Sequence, residues 1–506
     1  MLAKLVTNLS IMRSISPNIQ MALAGLLATL AFAPIDLPIF LLPSFYLLLD
    51  GIYQKDFKTA YLRGVVYGFF HFISSLYWVS IALTANVGDF LWLIPFALIL
   101  IPLALGLYVG MVCGLASLIK SNRILFVMGF CLCWTWIEHT RGFYPLPFPW
   151  NFTGYTLAAS NHTIKLAPYL GGVTLSTLLV VYIATIAFAK NRFLTLSSYG
   201  LLVIAVLVVG ITSPTTKFHE GVKVRLVQPN AIDHHLGNPA KQQEVLAKLI
   251  ALSTAEIGIG VKSVIWPEAA YPYLFKASHN EVKLLQSLAP KDGFLIFGAD
   301  RVDSKNRYFN SMVAVGSDGK VISEYDKRIL VPFGEYVPLA SKLSFIGKIA
   351  YGLGQFSTGL KHESILDSQA SNNYYPLICY EAIFPIDEDI TSYDWGLNIT
   401  NDAWFGNSSG PYQHLNMVRF KAAEHGMPII RVANGGISAV ISPLGEVLRH
   451  LPLNTANYID SEIPKKIVTR SFAFKNFNTF ILMVSFLICL CLNLIIKPIR
   501  NNSNKS

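Results

Sequence analysis

Cys379 sits at a strand-to-turn junction in Tyr374-Tyr375-Pro376-Leu377-Ile378-Cys379-Tyr380-Glu381-Ala382 and is the only cysteine in the long polar part of the chain. The other five, Cys113, Cys131, Cys133, Cys489 and Cys491, lie inside strongly apolar runs. A thiol where an apolar strand gives way to a turn, with a carboxylate two residues on, has the makings of a nucleophile. Such a thiol needs a base for its proton and a positive group for the thiolate and the oxyanion it creates. Unassisted, with a pKa of about 8.5, it is barely ionised at neutral pH. Two other residues of suitable type lie at strand ends: Glu268, at the end of the apolar run Val264-Ile265-Trp266-Pro267-Glu268, and Lys327, ending the hairpin strand Ser323-Glu324-Tyr325-Asp326-Lys327. Taken singly, each has a plainer reading: a structural cysteine packed as a small hydrophobe, a glutamate in a solvated turn, a lysine on a hairpin surface.

The elements that must position these residues lie between 213 and 475. Apolar, β-rich runs at 222–227, 263–266, 294–298, 375–379, 395–399 and 429–432 alternate with helical stretches such as 240–257 and 413–425. Turns at Ser317-Asp318-Gly319 and Pro443-Leu444-Gly445 add two hairpins. Helix-separated strands with hairpins predict an α/β domain, a mixed sheet covered by helices in a layered sandwich.

Around that domain the composition changes. The 506 residues are 53% hydrophobic and only 14% charged, where a soluble chain carries about a quarter charged residues. Apolar runs at 19–33, 37–52, 60–83, 90–119, 124–138, 166–189 and 193–212 fill the N-terminal part, and another spans 477–496. Spanning a bilayer takes about 20 apolar residues, so the runs predict eight transmembrane helices. Ala31-Phe32-Ala33 resembles a signal cleavage site, but Pro34 and the following spans favour a retained helix. Lys4 and Arg13, Lys55, Lys58 and Arg63, Lys120 and Arg123, Lys190 and Arg192, and Lys497, Arg500 and Lys505 fall on one side of successive spans, while 34–36 and 84–89 hold no Lys or Arg. The positive-inside bias then places both termini in the cytoplasm and the α/β domain outside. The domains expected are 1–212, a seven-span bundle; 213–475, the outer domain; and 476–506, the last span and its tail.

The net charge of +10 is spread over these short connections, which argues against nucleic acid as a partner. Five cysteines in membrane runs and one outside make no disulfide framework. With no nucleotide-binding glycine motif, and with His234-His235 lacking an acidic or thiol partner motif, neither cofactor nor metal is expected.

In this order, Glu268, Lys327 and Cys379 resemble the Glu-Lys-Cys site of the nitrilase (carbon-nitrogen hydrolase) superfamily. The flanking spans narrow the resemblance to the bacterial apolipoprotein N-acyltransferases. It rests on Trp266-Pro267-Glu268, Tyr325-Asp326-Lys327, Leu330-Val331-Pro332-Phe333-Gly334-Glu335-Tyr336-Val337-Pro338, Cys379-Tyr380-Glu381, Asn401-Asp402-Ala403-Trp404-Phe405-Gly406, Gly410-Pro411-Tyr412-Gln413-His414 and Arg431-Val432-Ala433-Asn434. Ala31-Phe32-Ala33-Pro34, Leu76-Tyr77-Trp78-Val79 and Phe148-Pro149-Trp150 extend it into the apolar part. The resemblance implies an α-β-β-α sandwich outside the membrane on an eight-helix bundle. It implies Cys379 as nucleophile, Glu268 as general base and Lys327 as stabiliser of oxyanion and thiolate. Glu335 would orient the site, Tyr380 and Glu381 would flank the nucleophile, and the Tyr380 N–H would be a second oxyanion donor. One loop departs from the family: after Leu226-Val227-Gln228, residues 229–236 contain no tryptophan.

The implied reaction is ping-pong. Cys379 takes an acyl chain from a phospholipid as a thioester, then yields it to the α-amino group of an N-terminal diacylglyceryl-cysteine, the last step of lipoprotein maturation. A membrane-tethered amidase with water as acceptor is the alternative, since the triad sets acyl-enzyme formation and not the acceptor. Both lipid substrates reside in the bilayer, so apolar loops near the triad, 269–275 and 343–356, are candidates to face lipid. Glu138 and Arg141 are expected to form an interfacial pair, and the protein to be a bacterial inner-membrane monomer with a periplasmic catalytic domain.

Overall fold

The computed structural model describes residues 15–84, 91–120, 122–143, 147–188, 204, 206–231, 238–336, 356–360, 373–386 and 390–468. The chain divides into two units, Met1–Ser213 with Arg470–Ser506, and Pro214–Thr469.

In the first unit the apolar runs form helices α1 (Pro17–Thr29), α2 (Leu41–Ile52), α3 (Phe57–Ser75), α4 (Ile94–Ala116), α5 (Arg123–Phe143) and α6 (Gly172–Phe188). Asp56 starts α3, its carboxylate accepting the Thr59 N–H at 3.0 Å. Helices α3 and α4 touch through glycines spaced four apart, Gly64 and Gly68 against Gly106 and Gly110; a Cβ on Gly68 would lie 2.7 Å from the Gly106 Cα. Small residues at this spacing let helix backbones approach closely.

Among the described residues, only Leu91–Ala116 is by itself long and apolar enough to cross a bilayer, and Asn161–Leu170 with Gly172–Ala187, bent by 118°, qualifies as a pair. The expected eight spans are therefore not displayed. Helices α1 and α2, of 13 and 12 residues, reach only about 20 Å against a hydrocarbon core of about 30 Å. Lys58, Arg63 and His71 lower the hydropathy of α3, and Arg123, Glu138 and Arg141 that of α5. The run 477–496 and the first half of 193–212 lie outside the described residues.

Glu138 and Arg141 do not pair as expected, because each is satisfied by the segment after α5. Glu138 accepts the Thr153 N–H at 2.6 Å and hydroxyl at 3.0 Å, and the Ser176 hydroxyl. Arg141 donates to the Phe148 and Trp150 carbonyls at 2.9 and 2.8 Å and lies over the Phe72 and Phe152 rings.

The second unit is an α-β-β-α sandwich. One sheet contains β1 (Phe218–Gln228), β2 (Val261–Ile265), β3 (Phe294–Val302), β4 (Tyr308–Gly316), β5 (Val321–Asp326) and β11 (Asn457–Pro464), in the order β11-β1-β2-β3-β4-β5. The other contains β6 (Tyr374–Ile378), β7 (Trp395–Asn401), β8 (Ile429–Asn434), β9 (Ala439–Ile441) and β10 (Val447–His450), in the order β10-β9-β8-β7-β6. Both are mixed: β1-β2-β3 and β6-β7-β8 run parallel, and the expected hairpins β4-β5 and β9-β10 run antiparallel.

Period-two alternation sorts the side chains. Leu226, Ile265, Ile296, Met312 and Tyr325 meet Ile378, Leu397, Ile399, Ile430 and Val432 between the sheets. Leu295, Phe297 and Val313 point outward, under α7 (Pro239–Thr254) and α8 (His279–Gln286), which bury Leu249 and Leu285. Leu377, Ile429 and Ile441 point outward under α9 (Gly410–His425), which buries Val418 and Ala422. Each sheet has two apolar faces, so each needs both a sheet and a helical layer to cover it. The loop 269–275, expected to face lipid, is instead part of this packing: Ala270, Tyr271 and Phe275 are buried with Trp266 and Phe297. Its aromatic residues find apolar cover on their own sheet. Residues 337–355, which include most of the other candidate loop, and 232–237, with His234-His235, lie outside the described residues.

Candidate active site

Glu268, Lys327 and Cys379 follow the carboxyl ends of β2, β5 and β6. After β2, Pro267 and Glu268 cross directly over Gly298 of β3, whose N–H donates to the Pro267 carbonyl at 3.1 Å and whose carbonyl accepts the Tyr271 N–H at 3.0 Å. A side chain on Gly298 would lie 2.6 Å from the Glu268 Cα, so this crossing depends on a glycine. Lys327 is held by its own main chain, its N–H donating to the Asn310 carbonyl at 2.9 Å and its carbonyl accepting from Gly359 at 3.0 Å. Cys379 opens a single 3₁₀ turn, Cys379–Ile383, with φ of +48°. That conformation costs a residue with a Cβ about 1–2 kcal/mol, so its surroundings must enforce it.

Glu381 is one enforcer. Its Oε2 accepts the Ile378 N–H at 2.7 Å; its Oε1 accepts the Tyr325 hydroxyl at 2.9 Å and the Arg328 and Ile329 N–H groups at 2.7 and 3.2 Å. One carboxylate thus ties the cysteine turn to the chain that follows Lys327. Burial raises its pKa, a tendency opposed by these bonds.

The charged centre is a symmetric cradle. Lys327 Nζ donates to Glu268 Oε1 at 3.0 Å and to Glu335 Oε1 at 2.9 Å. Asn310 Nδ2 bridges the same two oxygens at 2.8 Å each. The second oxygens take main-chain donors: Glu268 Oε2 the Asn401 N–H and Glu335 Oε2 the Val331 N–H, both at 2.8 Å. A carboxylate oxygen has two lone pairs and an ammonium three protons. Among the described residues, Glu268 Oε2 and Glu335 Oε2 therefore each keep one lone pair, and Lys327 keeps one N–H. Lys327 is 1% exposed; burial disfavours its ammonium form, but Glu268 and Glu335 outweigh this and lift its pKa well above the ordinary lysine value.

Burial is the main force pushing the Cys379 pKa up, Glu268 pushes it further, and Lys327 opposes both. The resting thiol is protonated, so attack requires the proton to leave as the new bond forms, with a positive charge alongside. Tyr380 is buried, its ring edge-on to Phe384 at 4.8 Å.

The structure thus brings together Glu268, Lys327, Glu335 and Cys379, and sets Glu381 and Tyr380 around the cysteine turn. Two further residues of the site went unnoticed in the sequence. Asn310 has a weak signal there, a lone amide in the otherwise buried apolar strand Tyr308–Gly316. Asp300, opposite Asn310 in the β3–β4 register, has none; burial, then Glu268 and Glu335, raise its pKa to about 6.

Two family models match the chain: the apolipoprotein N-acyltransferase N-terminal domain over residues 24–211 and carbon-nitrogen hydrolase over residues 223–470. An apolipoprotein N-acyltransferase of Rickettsia bellii is 36% identical over 501 residues, covering 96% of this chain and 99% of that protein. Those of Rickettsia prowazekii and Rhodopseudomonas palustris are 34% and 33% identical, covering 94% and 89% of this chain and 98% and 90% of theirs.

Proposed function

The chain belongs to the apolipoprotein N-acyltransferase family, and from that premise we propose how its own residues carry an acyl chain from a phospholipid to a lipoprotein. Glu268 Oε2, with its unused lone pair, takes the Cys379 thiol proton while the sulfur attacks the ester carbonyl. The unengaged N–H of Lys327, with the Tyr380 N–H, holds the oxyanion. The C–O bond breaks, Glu268 returns the proton to the departing lysophospholipid, and a Cys379 thioester remains. The α-amino group of the N-terminal diacylglyceryl-cysteine attacks this thioester, Glu268 takes the amine proton, and the thiolate leaves, to be reprotonated as an amide forms. Glu335 and Asn310 keep the cradle in register throughout.

What carries this reading is the arrangement of Lys327 Nζ between two carboxylates, 3.0 and 2.9 Å away, with the charges of Glu268 and Lys327 both acting on the thiol. The test is labelled phospholipid and a diacylated lipopeptide given to the purified full-length enzyme. Wild type should yield N-acylated peptide and Cys379→Ala none. Free fatty acid alone from the wild type would make water the acceptor, and N-acylated peptide from Cys379→Ala would remove the nucleophile.

The same reading places the enzyme in a bacterial inner membrane, as a monomer with eight spans, divided as 1–212, 213–475 and 476–506, with both termini cytoplasmic and the sandwich in the periplasm. The one-sided distribution of Lys and Arg supports it. Export-dependent reporters fused after Lys120 and after Ser506 should stay inactive, and one inserted in 84–89 should be active; the reverse pattern would invert the topology.

A further inference from the structure

Behind the cysteine, on the side of the second sheet, lies a buried polar cluster that the reaction above does not use. Arg431 of β8 donates to Asp402 Oδ2 and to Asn398 Oδ1, each at 2.5 Å. Asp402 Oδ1 meets His414 Nδ1 and the Thr400 hydroxyl, both at 3.0 Å. Asn398, Thr400, Asp402 and Arg431 are 0% exposed and His414 1%. The cluster reaches the strand that carries the nucleophile. Asn398 donates to the Leu377 carbonyl at 3.1 Å, two residues before Cys379. Thr400 and His414 lie near enough to Cys379 to act on its thiol and main chain electrostatically. The register explains the convergence: Ile378 pairs with Ile399, so Cys379 and Thr400 are the next neighbours across β6 and β7.

A buried ion pair contributes little to stability over an apolar replacement of equal volume, so its presence here calls for another reason. Cys379 supplies one, since its left-handed conformation must be imposed from outside. Glu381 constrains the turn on the side of Lys327; on the side of β7 stand Asn398, bonded to the Leu377 carbonyl, and the charges behind it.

We infer that Thr400, Asp402, His414 and Arg431 are positioning residues for the nucleophile, an ionic support that holds the backbone and the sulfur of Cys379 in their attacking geometry. The inference rests on Cys379 being the nucleophile. Asp402 suits such a support: burial would raise its pKa, but Arg431 and His414 outweigh it and hold it at about 2, so the charge persists at any working pH. An ionised carboxylate only accepts, so it orients His414 Nδ1–H and the Thr400 hydroxyl together.

The experiment uses the full-length enzyme in phospholipid-containing micelles and reads two quantities. One is the kcat and KM for N-acylation of a diacylated lipopeptide. The other is the rate of iodoacetamide labelling at Cys379, read by peptide mass. Thr400→Val keeps the shape and removes the hydroxyl; His414→Ala removes the ring, and His414→Asn restores a donor near Nδ1. Displacement of the sulfur by about 1 Å predicts a kcat lower by about 10²-fold with KM unchanged. Cys379 labelling should change in rate along with kcat, and His414→Asn should recover part of both. Wild-type labelling and kcat in folded Thr400→Val, or in His414→Ala whose only change is a lower melting midpoint, would make the cluster purely structural and overturn the inference. Should His414→Ala fail to fold, Thr400→Val decides alone. Activity surviving in Cys379→Ala would instead refute the nucleophile, a result separate from all of these.

Discussion

Gly298→Ala places one methyl group where the chain bearing the base crosses β3. Its Cβ would sit 2.5 Å from the Pro267 carbonyl oxygen, 2.6 Å from the Ala269 nitrogen and 2.6 Å from the Glu268 Cα. All three are main-chain atoms, so no side chain can swing aside. Ordinary contact begins at 3.4 Å, so the Pro267–Ala269 segment must lift by about 0.8–0.9 Å. Overpacking of this kind costs about 1–3 kcal/mol of stability, and the fold should survive it. Catalysis should suffer more, because a base misplaced by about 1 Å costs about 10²-fold in rate, or about 2.7 kcal/mol of barrier. The assay is the appearance of acylated Cys379 by intact mass when enzyme meets phospholipid without acceptor, followed by steady-state N-acylation once acceptor is added. Acyl-enzyme formation should slow by about 10²-fold, with the acceptor KM unchanged. Gly396→Ala is the control, since its Cβ would meet only side-chain atoms within 3.4 Å, the Met427 methyl at 3.1 Å and Ile429 Cγ1 at 3.2 Å, and it should react as the wild type does. Wild-type acyl-enzyme formation in Gly298→Ala would refute the dependence of Glu268 on this crossing.

Asn310→Leu removes the two amide bonds that bridge Glu268 and Glu335. A bond to a charged group contributes about 1.5–3 kcal/mol, so acyl-enzyme formation should slow by about 10–10²-fold; an unchanged rate would show that the amide does not support the charged cradle. For Asp300, burial and then Glu268 and Glu335 raise the pKa from 3.8 to about 6. The folded protein holds that proton more tightly than the unfolded chain, so this contribution to stability is complete below about pH 4 and lost as the pH rises through about 6. Asp300→Asn should therefore raise the melting midpoint near pH 8, the gain being at most about 3 kcal/mol, and not near pH 4; equal shifts at both would contradict it.

Much of the sandwich is legible in the sequence because strands with two covered faces are short, apolar and β-branched, and because the turns around Asp318-Gly319 and Leu444-Gly445 depend on local chemistry. The strand β11 escapes such reading: Asn457–Pro464 is partly exposed and finds its partner, β1, more than two hundred residues away. The membrane part is legible as apolar runs, but helix lengths and hydropathy also depend on polar residues inside them, such as Glu138 and Arg141, whose partners lie in a following loop.

The sequence by itself determined which chemical types are present and in what order: a carboxylate, an ammonium and a thiol, each at a strand end, with Glu335, Tyr380 and Glu381 close along the chain. Those are consequences of composition and local spacing. The tertiary structure alone decided that two carboxylates share one lysine, that Asn310 bridges them, and that Cys379 sits at φ of +48°. The bonds of Glu268 to Lys327 and to Asn310 join residues 59 and 42 positions apart, and such relations exist only once the strands have set their register.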